Sequence, residues 1–219
     1  MTGVLNRWAG WCFVHVPKTA GESMAEALLA APGAQPVRDA PGVRAAFDAS
    51  NAAGPDRIEA IAHARARDIE AAIGANAWRR LRSFAVVRNP YDRIVSAYRY
   101  QRRRREANPR RWAGRPELDL PLDDFILFHC ASNNATMVQR LADAAGGLLV
   151  TDVLRFEALA ADWAALSADL FGRARRLPVK NAAQTRVRHA FSEAAVEAMR
   201  RKFADDFAVF GYSPDPPET

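Results

Sequence analysis

The sequence predicts an α/β domain: a central, mainly parallel sheet of about four to five strands flanked by helices. Three observations predict it. Short apolar runs alternate with helix-period segments along the chain, the pattern of a sheet covered on both faces. The chain has 219 residues, 49% apolar and 26% charged. That is enough for one domain with its own core, and it is unlike a disordered chain. No run of about 18 apolar residues occurs, so no membrane-spanning helix is predicted.

The elements follow in order. Trp11–Val16 is a short apolar strand ended by Pro17. Glu22–Ala31 reads as a helix closed by Pro32-Gly33. Residues 33–56, rich in Gly, Pro, Asp and Ala, read as loop with a short helix around Val43–Ala49. Arg57–Ala62 is a second strand with His63 at its end. A helix near Ile69–Ala77 leads to a third strand, Arg82–Val87. Asn89 is a candidate N-cap and Pro90 the first residue of a helix running to about Arg105. Asn108–Pro121 is a loop, and two helical patterns follow at Leu122–Ala131 and Ala135–Ala144. Gly146-Gly147 introduces a fourth strand, Leu148–Leu154. Helices at Glu157–Leu166 and Ser192–Phe207 complete the pattern. The reading gives one domain over residues 1–212 and an untethered, Pro-rich tail over 213–219.

Charge and cysteine content narrow the function classes. The formal net charge is +6, yet residues 99–115 alone hold eight arginines against Glu106. The basicity is therefore local: a solvated helix end, or a segment that draws in anions. Its interleaved aromatics are only Tyr100 and Trp112, and no nucleic-acid motif appears. Cys12 and Cys130 make no disulfide framework, no His/Cys/Asp cluster has zinc spacing, and no metal is expected. Arg7 is not followed by the apolar stretch of a signal peptide. Abundant Arg and Ala, with only three lysines (Lys18, Lys180 and Lys202), suggest a bacterial source, and the missing signal stretch suggests the cytoplasm.

Ligands bind at the carboxyl ends of strands in such sheets, which points to Pro17–Ser23, His63 and Arg88. Val16-Pro17-Lys18-Thr19-Ala20-Gly21-Glu22-Ser23 reads as strand, tight small-residue loop and helix start. Gly21 permits close backbone approach, the first helical turn offers N–H donors, Thr19 and Ser23 offer hydroxyls, and Lys18 offers a mobile charge. Lys18 precedes the glycine, so this is not a Walker A loop. An ordinary strand-to-helix turn is the plainer reading. In Arg88-Asn89-Pro90-Tyr91-Asp92-Arg93-Ile94-Val95-Ser96-Ala97-Tyr98, a guanidinium ends a strand and Ser96 lies two turns into the helix, a grip suited to phosphate. Tyr91, Val95 and Tyr98 share one helical face and suit packing. Asp92 suits the helix dipole.

Together these two segments resemble the sulfotransferase superfamily that uses 3′-phosphoadenosine 5′-phosphosulfate (PAPS), most closely its carbohydrate-sulfotransferase branch with small bacterial relatives. Phe13–Ser23 is similar to the family's 5′-phosphosulfate loop, and Arg88–Tyr98 to its 3′-phosphate motif. Weaker echoes lie at Leu154–Leu159 and Asp206–Tyr212. The resemblance implies a three-layer, P-loop-like fold. It also implies transfer of the sulfuryl group of PAPS to a hydroxyl acceptor, leaving adenosine 3′,5′-diphosphate. It places Lys18 at the bridging and 5′-phosphate oxygens, and lines the 5′-phosphate with Pro17, Thr19, Ala20, Gly21, Glu22, Ser23 and Met24. It gives the 3′-phosphate to Arg88 and Ser96, and closes Lys180 and Asn181 over the nucleotide, although a surface turn suits those two equally. Glu22 departs from the family pattern, because a carboxylate facing a phosphosulfate repels it.

The chemistry needs a base for the acceptor hydroxyl. His63 is the first candidate, with a strand-ending histidine bonded to backbone as the alternative reading. His15, two residues before the loop, suits packing beneath the site. His129 and His189 receive no role, and Asp39, Asp48 and Glu157 are reserves. Residues 33–56 and 108–140 are the expected acceptor walls, and an acidic glycan suits arginine-rich walls. The competing reading is a noncatalytic module that binds anionic nucleotide or polysaccharide through residues 99–115. Oligomeric state is not legible.

Overall fold

A computed structural model describes residues 2–40, 42, 43, 45, 63–178 and 189–217. The expected strand Arg57–Ala62, most of the expected helix at 43–49, and Asp48, Lys180 and Asn181 lie outside the described residues. The chain forms two compact units, Met1–Val87 with Met137–Asn181, and Arg88–Thr136 with Ala182–Thr219.

The first unit carries a five-stranded sheet of β1 (Val4–Asn6), β2 (Trp11–Val14), β3 (Gln35–Pro36), β4 (Arg82–Val87) and β5 (Asp152–Arg155). The order is β3-β1-β2-β4-β5. β2–β4 and β4–β5 are parallel, as expected, with Val14 opposite Ala85 and Val87 opposite Arg155. β1 corrects the reading of the N-terminus: it pairs antiparallel with both β2 and β3. The reason is local. The Asn6 side chain accepts from the Ala9 N–H at 2.9 Å, and Gly10 takes φ 73°, so the chain turns straight back into a hairpin.

Side chains alternate across these strands. Trp11, Phe13, Phe84, Val86 and Leu154 face one core with Met24, Ala25 and Leu28 of α1 (Gly21–Leu29) and Trp163 and Leu166 of α7 (Leu159–Phe171). Cys12, Val14, Ala85 and Val87 point the other way and are also buried, so both faces of the sheet are covered. The first unit further contains α2 (Ala66–Ile73), α3 (Ala75–Trp78) and α6 (Met137–Leu141). The fourth strand begins later than the expected Leu148, because Leu149 N–H donates to the Leu141 carbonyl at 2.8 Å and Leu148 forms a bridge with Ala142. Arg82, at the amino end of β4, pairs with Asp152 at 2.8 Å and Asp169 at 2.9 Å.

The second unit is helical. α4 (Pro90–Ala107) starts as expected: the Asn89 side chain accepts from the Tyr91 N–H at 2.9 Å and Pro90 opens the first turn. Tyr91, Ile94 and Val95 on its inner face meet Phe125 and Ile126 of α5 (Leu122–Ala131), Met199 of α8 (Glu193–Lys202) and Phe207 of α9 (Ala204–Phe210). The expected single helix over 192–207 is broken at Phe203, whose φ of −110° and ψ of 23° end α8 while its ring enters this core. The segment expected to be untethered is engaged at its start. Tyr91 Oη donates to the Pro214 carbonyl at 2.8 Å, and Arg200 pairs with Asp215. Both cysteines are free. Burial pushes the Cys12 thiol up to about 12 and the Cys130 thiol up to about 11, so both stay protonated and inert at neutral pH.

Candidate active site

In the first unit, the loop between β2 and α1 holds an unusual backbone. Lys18 (φ 70°) and Ala20 (φ 66°) both occupy the left-handed region, while Thr19 and Gly21 do not. Such alternation turns successive N–H groups to one side, the geometry of an anion-binding nest. It costs about 1–3 kcal/mol per residue and persists only where the surroundings enforce it. The enforcing contacts are visible. Thr19 is fully buried and its hydroxyl donates to the Val16 carbonyl at 2.8 Å. Ser23 is buried, while Pro17, Lys18, Ala20 and Glu22 are half-buried. Met24 has its side chain in the core and its N–H on the Ala20 carbonyl at 3.1 Å, which makes it a packing residue.

Gly21 has a role that its sequence position does not disclose. A methyl group added there would overlap the imidazole of His15. The glycine is therefore required by the side chain packed against it, at an ordinary helical φ. Gly21→Ala is expected to cost about 1–3 kcal/mol by overpacking, read as a lower urea midpoint. Combined with His15→Ala, the cost should shrink, because the overlapped ring is gone.

His15 and His63 lie together, ring centroids 4.5 Å apart and tilted by 52°. Arg140 of α6 donates to the His63 carbonyl at 3.0 Å. His63 is pushed down to about 3, by burial first and then by the Arg140 charge, with the His15 backbone pulling the other way. His15 is also held well below its usual value, by burial first and then by His63. In the second unit His129 is pushed down to about 4 by burial and by Arg93 and Lys202. All three rings are therefore neutral in the folded protein at neutral pH.

In the unfolded chain each ring titrates near its ordinary value of 6.5. Between that value and the folded one, the unfolded chain binds protons that the folded chain refuses. The stability is fully present above about pH 6.5 and is lost as pH falls. By pH 5 His63 and His129 should each remove about 2 kcal/mol, with His15 acting in the same direction, and the urea midpoint should drop steeply between pH 7 and 5.

The second unit holds the other predicted segment. Arg88, half-buried, follows Val87 at the carboxyl end of β4 and precedes the α4 cap. Ser96 is half-buried on α4. Tyr91, Val95 and Tyr98 join the helical core, as expected, and the Tyr98 hydroxyl donates to the Leu120 carbonyl at 3.1 Å. His189 pairs with Asp123 at 2.9 Å. Arg93 is the residue that sequence reasoning passed over. It is buried, lies 5.3 Å above the Phe203 ring, and feels the buried carboxylate of Asp206. Arg140 was missed too, since nothing near it in the chain signals that it reaches a residue 77 positions earlier. The only available signal for Asp206 was its place in the weak Asp206–Tyr212 echo.

Of the arginines at 99–115, Arg105 pairs with Asp119 at 2.7 Å, and Arg102, Arg104 and Arg115 lie over Tyr98, Tyr100 and Trp112. Among the described residues no helix is long and apolar enough to cross a membrane, and no group of His, Cys, Asp or Glu could hold a metal.

A family model described as "Sulfotransferase family" matches residues 10–213 of the chain. No curated protein and no solved structure matches it.

Proposed function

The chain belongs to the sulfotransferase family, and on that premise we propose that it moves the sulfuryl group of 3′-phosphoadenosine 5′-phosphosulfate to a hydroxyl acceptor, a glycan, by in-line transfer. The observation that carries the reading is the Lys18–Gly21 loop: a left-handed, alternating backbone at the start of α1, with a lysine on it. That combination fits an anionic donor. The donor supplies the sulfuryl group and an adenosine 3′,5′-diphosphate leaving group.

The chain's own residues do the rest. Lys18 sets its ammonium against the negative charge that develops on the leaving phosphate oxygen. The backbone of residues 17–23 holds the 5′-phosphate, with Ser23 as a hydroxyl donor. Arg88 and Ser96 hold the 3′-phosphate, the guanidinium through paired donors. Lys180 and Asn181 close over the nucleotide. His63 takes the acceptor's proton. Its ring is already unprotonated at neutral pH, and negative charge brought near it raises its basicity toward the working range. The arginine- and alanine-rich composition supports a bacterial source, and the arginines at 99–115 support an acidic glycan as acceptor.

Calorimetric titration with adenosine 3′,5′-diphosphate, against adenosine 5′-phosphate and ATP as controls, tests the donor. Tight binding that depends on the 3′-phosphate is expected, and binding of ATP alone or of nothing overturns the reading. In the same assay Arg88→Ala should weaken adenosine 3′,5′-diphosphate by about 10- to 100-fold, the worth of charged hydrogen bonds. Adenosine 5′-phosphate should change by less than about threefold. Equal losses for both ligands would show that Arg88 does not read the 3′-phosphate.

A further inference from the structure

We propose that His15 is a positioning residue for His63: its imidazole fixes the His63 ring and supports the imidazolium that forms when His63 takes the acceptor's proton. The inference rests on the reading of His63 as the base.

Three contacts hold His15 still. Its ring stacks on Phe13 (centroids 6.0 Å, 26° between planes), lies against Gly21 where no side chain could fit, and meets His63 at 4.5 Å. Only 5% of the residue is exposed. A ring wedged in this way does not turn when the site fills, and it gives the neighbouring imidazole one fixed wall.

A packing role alone leaves two atoms unexplained. Among the described residues, the Nδ1 atoms of His15 and of His63 are both buried without a hydrogen-bond partner. Buried polar atoms almost always have one, and leaving one unpaired is costly. Phenylalanine would fill the His15 site without that cost. A second neutral imidazole gains a use when its partner becomes charged.

The electrostatics around His63 point the same way. Arg140 and Lys18 are cationic and oppose a proton on His63. The His15 backbone favours a proton on His63, and the neutral His15 ring, with its π face and its nitrogen lone pair, stands beside His63 where it can add to that support. Burial keeps His15 itself unprotonated, so it is present in the form that helps. The proton moves from the acceptor oxygen to a His63 nitrogen, and His15 neither gains nor loses one.

The test compares His15→Phe, which keeps a flat ring and removes the nitrogens, with His15→Gln, which keeps a polar acceptor. Turnover is read as release of adenosine 3′,5′-diphosphate from the donor. One arm uses uronate-bearing oligosaccharides as acceptor and the other uses water. His15→Phe is expected to fold, to bind adenosine 3′,5′-diphosphate within about twofold of the wild type, and to lose at least about tenfold in kcat with little change in KM for the donor. His15→Gln should recover much of that loss. If both variants keep wild-type kcat, or if both lose it equally, His15 only packs and the proposal falls. Should His15→Phe not fold, His15→Gln decides by its kcat alone: a fall of more than about tenfold refutes support through a polar acceptor. His63→Ala separates the two readings. If it leaves kcat unchanged, the base assignment fails and takes this inference with it. If it abolishes turnover while His15→Phe keeps it, only the inference fails.

Discussion

Lys18→Ala is expected to lower kcat by about 100- to 1,000-fold, the worth of a preorganised charge at a developing oxyanion. Affinity for adenosine 3′,5′-diphosphate should fall by no more than about tenfold, because the nest of backbone N–H groups and Arg88 remain. The split is the informative part. An ammonium that merely attracts the nucleotide acts on ground state and transition state alike and changes KM. One that meets charge built during transfer changes kcat. Alanine is the right probe, since it keeps an L residue at φ 70° and removes only the side chain. Glycine there would also relax the loop and confuse the two effects. Single-turnover release of adenosine 3′,5′-diphosphate, paired with calorimetry, measures both quantities. An unchanged kcat would remove Lys18 from the chemistry.

Arg93→Leu should be the most destabilising substitution in the second unit. Arg93 is only 8% exposed and Asp206 is fully buried. Burial pulls the Arg93 guanidinium below its usual value, and the Asp206 charge pulls it back. Leucine would fill the volume under the Phe203 ring but remove a cation whose charge bears on the buried Asp206 carboxylate, at a cost of up to about 3–5 kcal/mol. Equilibrium urea unfolding checks the size. The double variant Arg93→Leu/Asp206→Leu should recover most of the loss, because two apolar groups can replace a buried pair at little cost. If the double variant is as unstable as the single, the damage comes from lost packing and not from the stranded charge.

The elements that the sequence announces are those whose signals are local. β4 matches its apolar run at Arg82–Val87, and α5 matches Leu122–Ala131. Asn89 and Pro90 cap α4 as their chemistry dictates. What escaped depends on distant partners. β1 is three residues long and has meaning only against β2 and β3. The break at Phe203 has no glycine or proline to announce it, and tertiary burial of the ring overrides helix propensity. The turn from β2 into α1 and the cap of α4 were legible from local residues. The reason for Gly21 was not, since it lies in a ring six residues upstream. The His63–Arg140 contact spans 77 positions and leaves no local trace.

The division of the chain has a consequence for how it is made. Each unit is assembled from two stretches separated by part of the other. Tyr91 and Phe125 are synthesised early, yet the residues that cover them, Met199, Phe203 and Phe207, come some seventy or more positions later. On the ribosome the apolar face of α4 and α5 must wait for nearly the whole chain before it can close, and such long-range closure is slow and exposed to aggregation. A nascent chain halted before Ala182 would carry that face uncovered, a natural substrate for chaperones during synthesis.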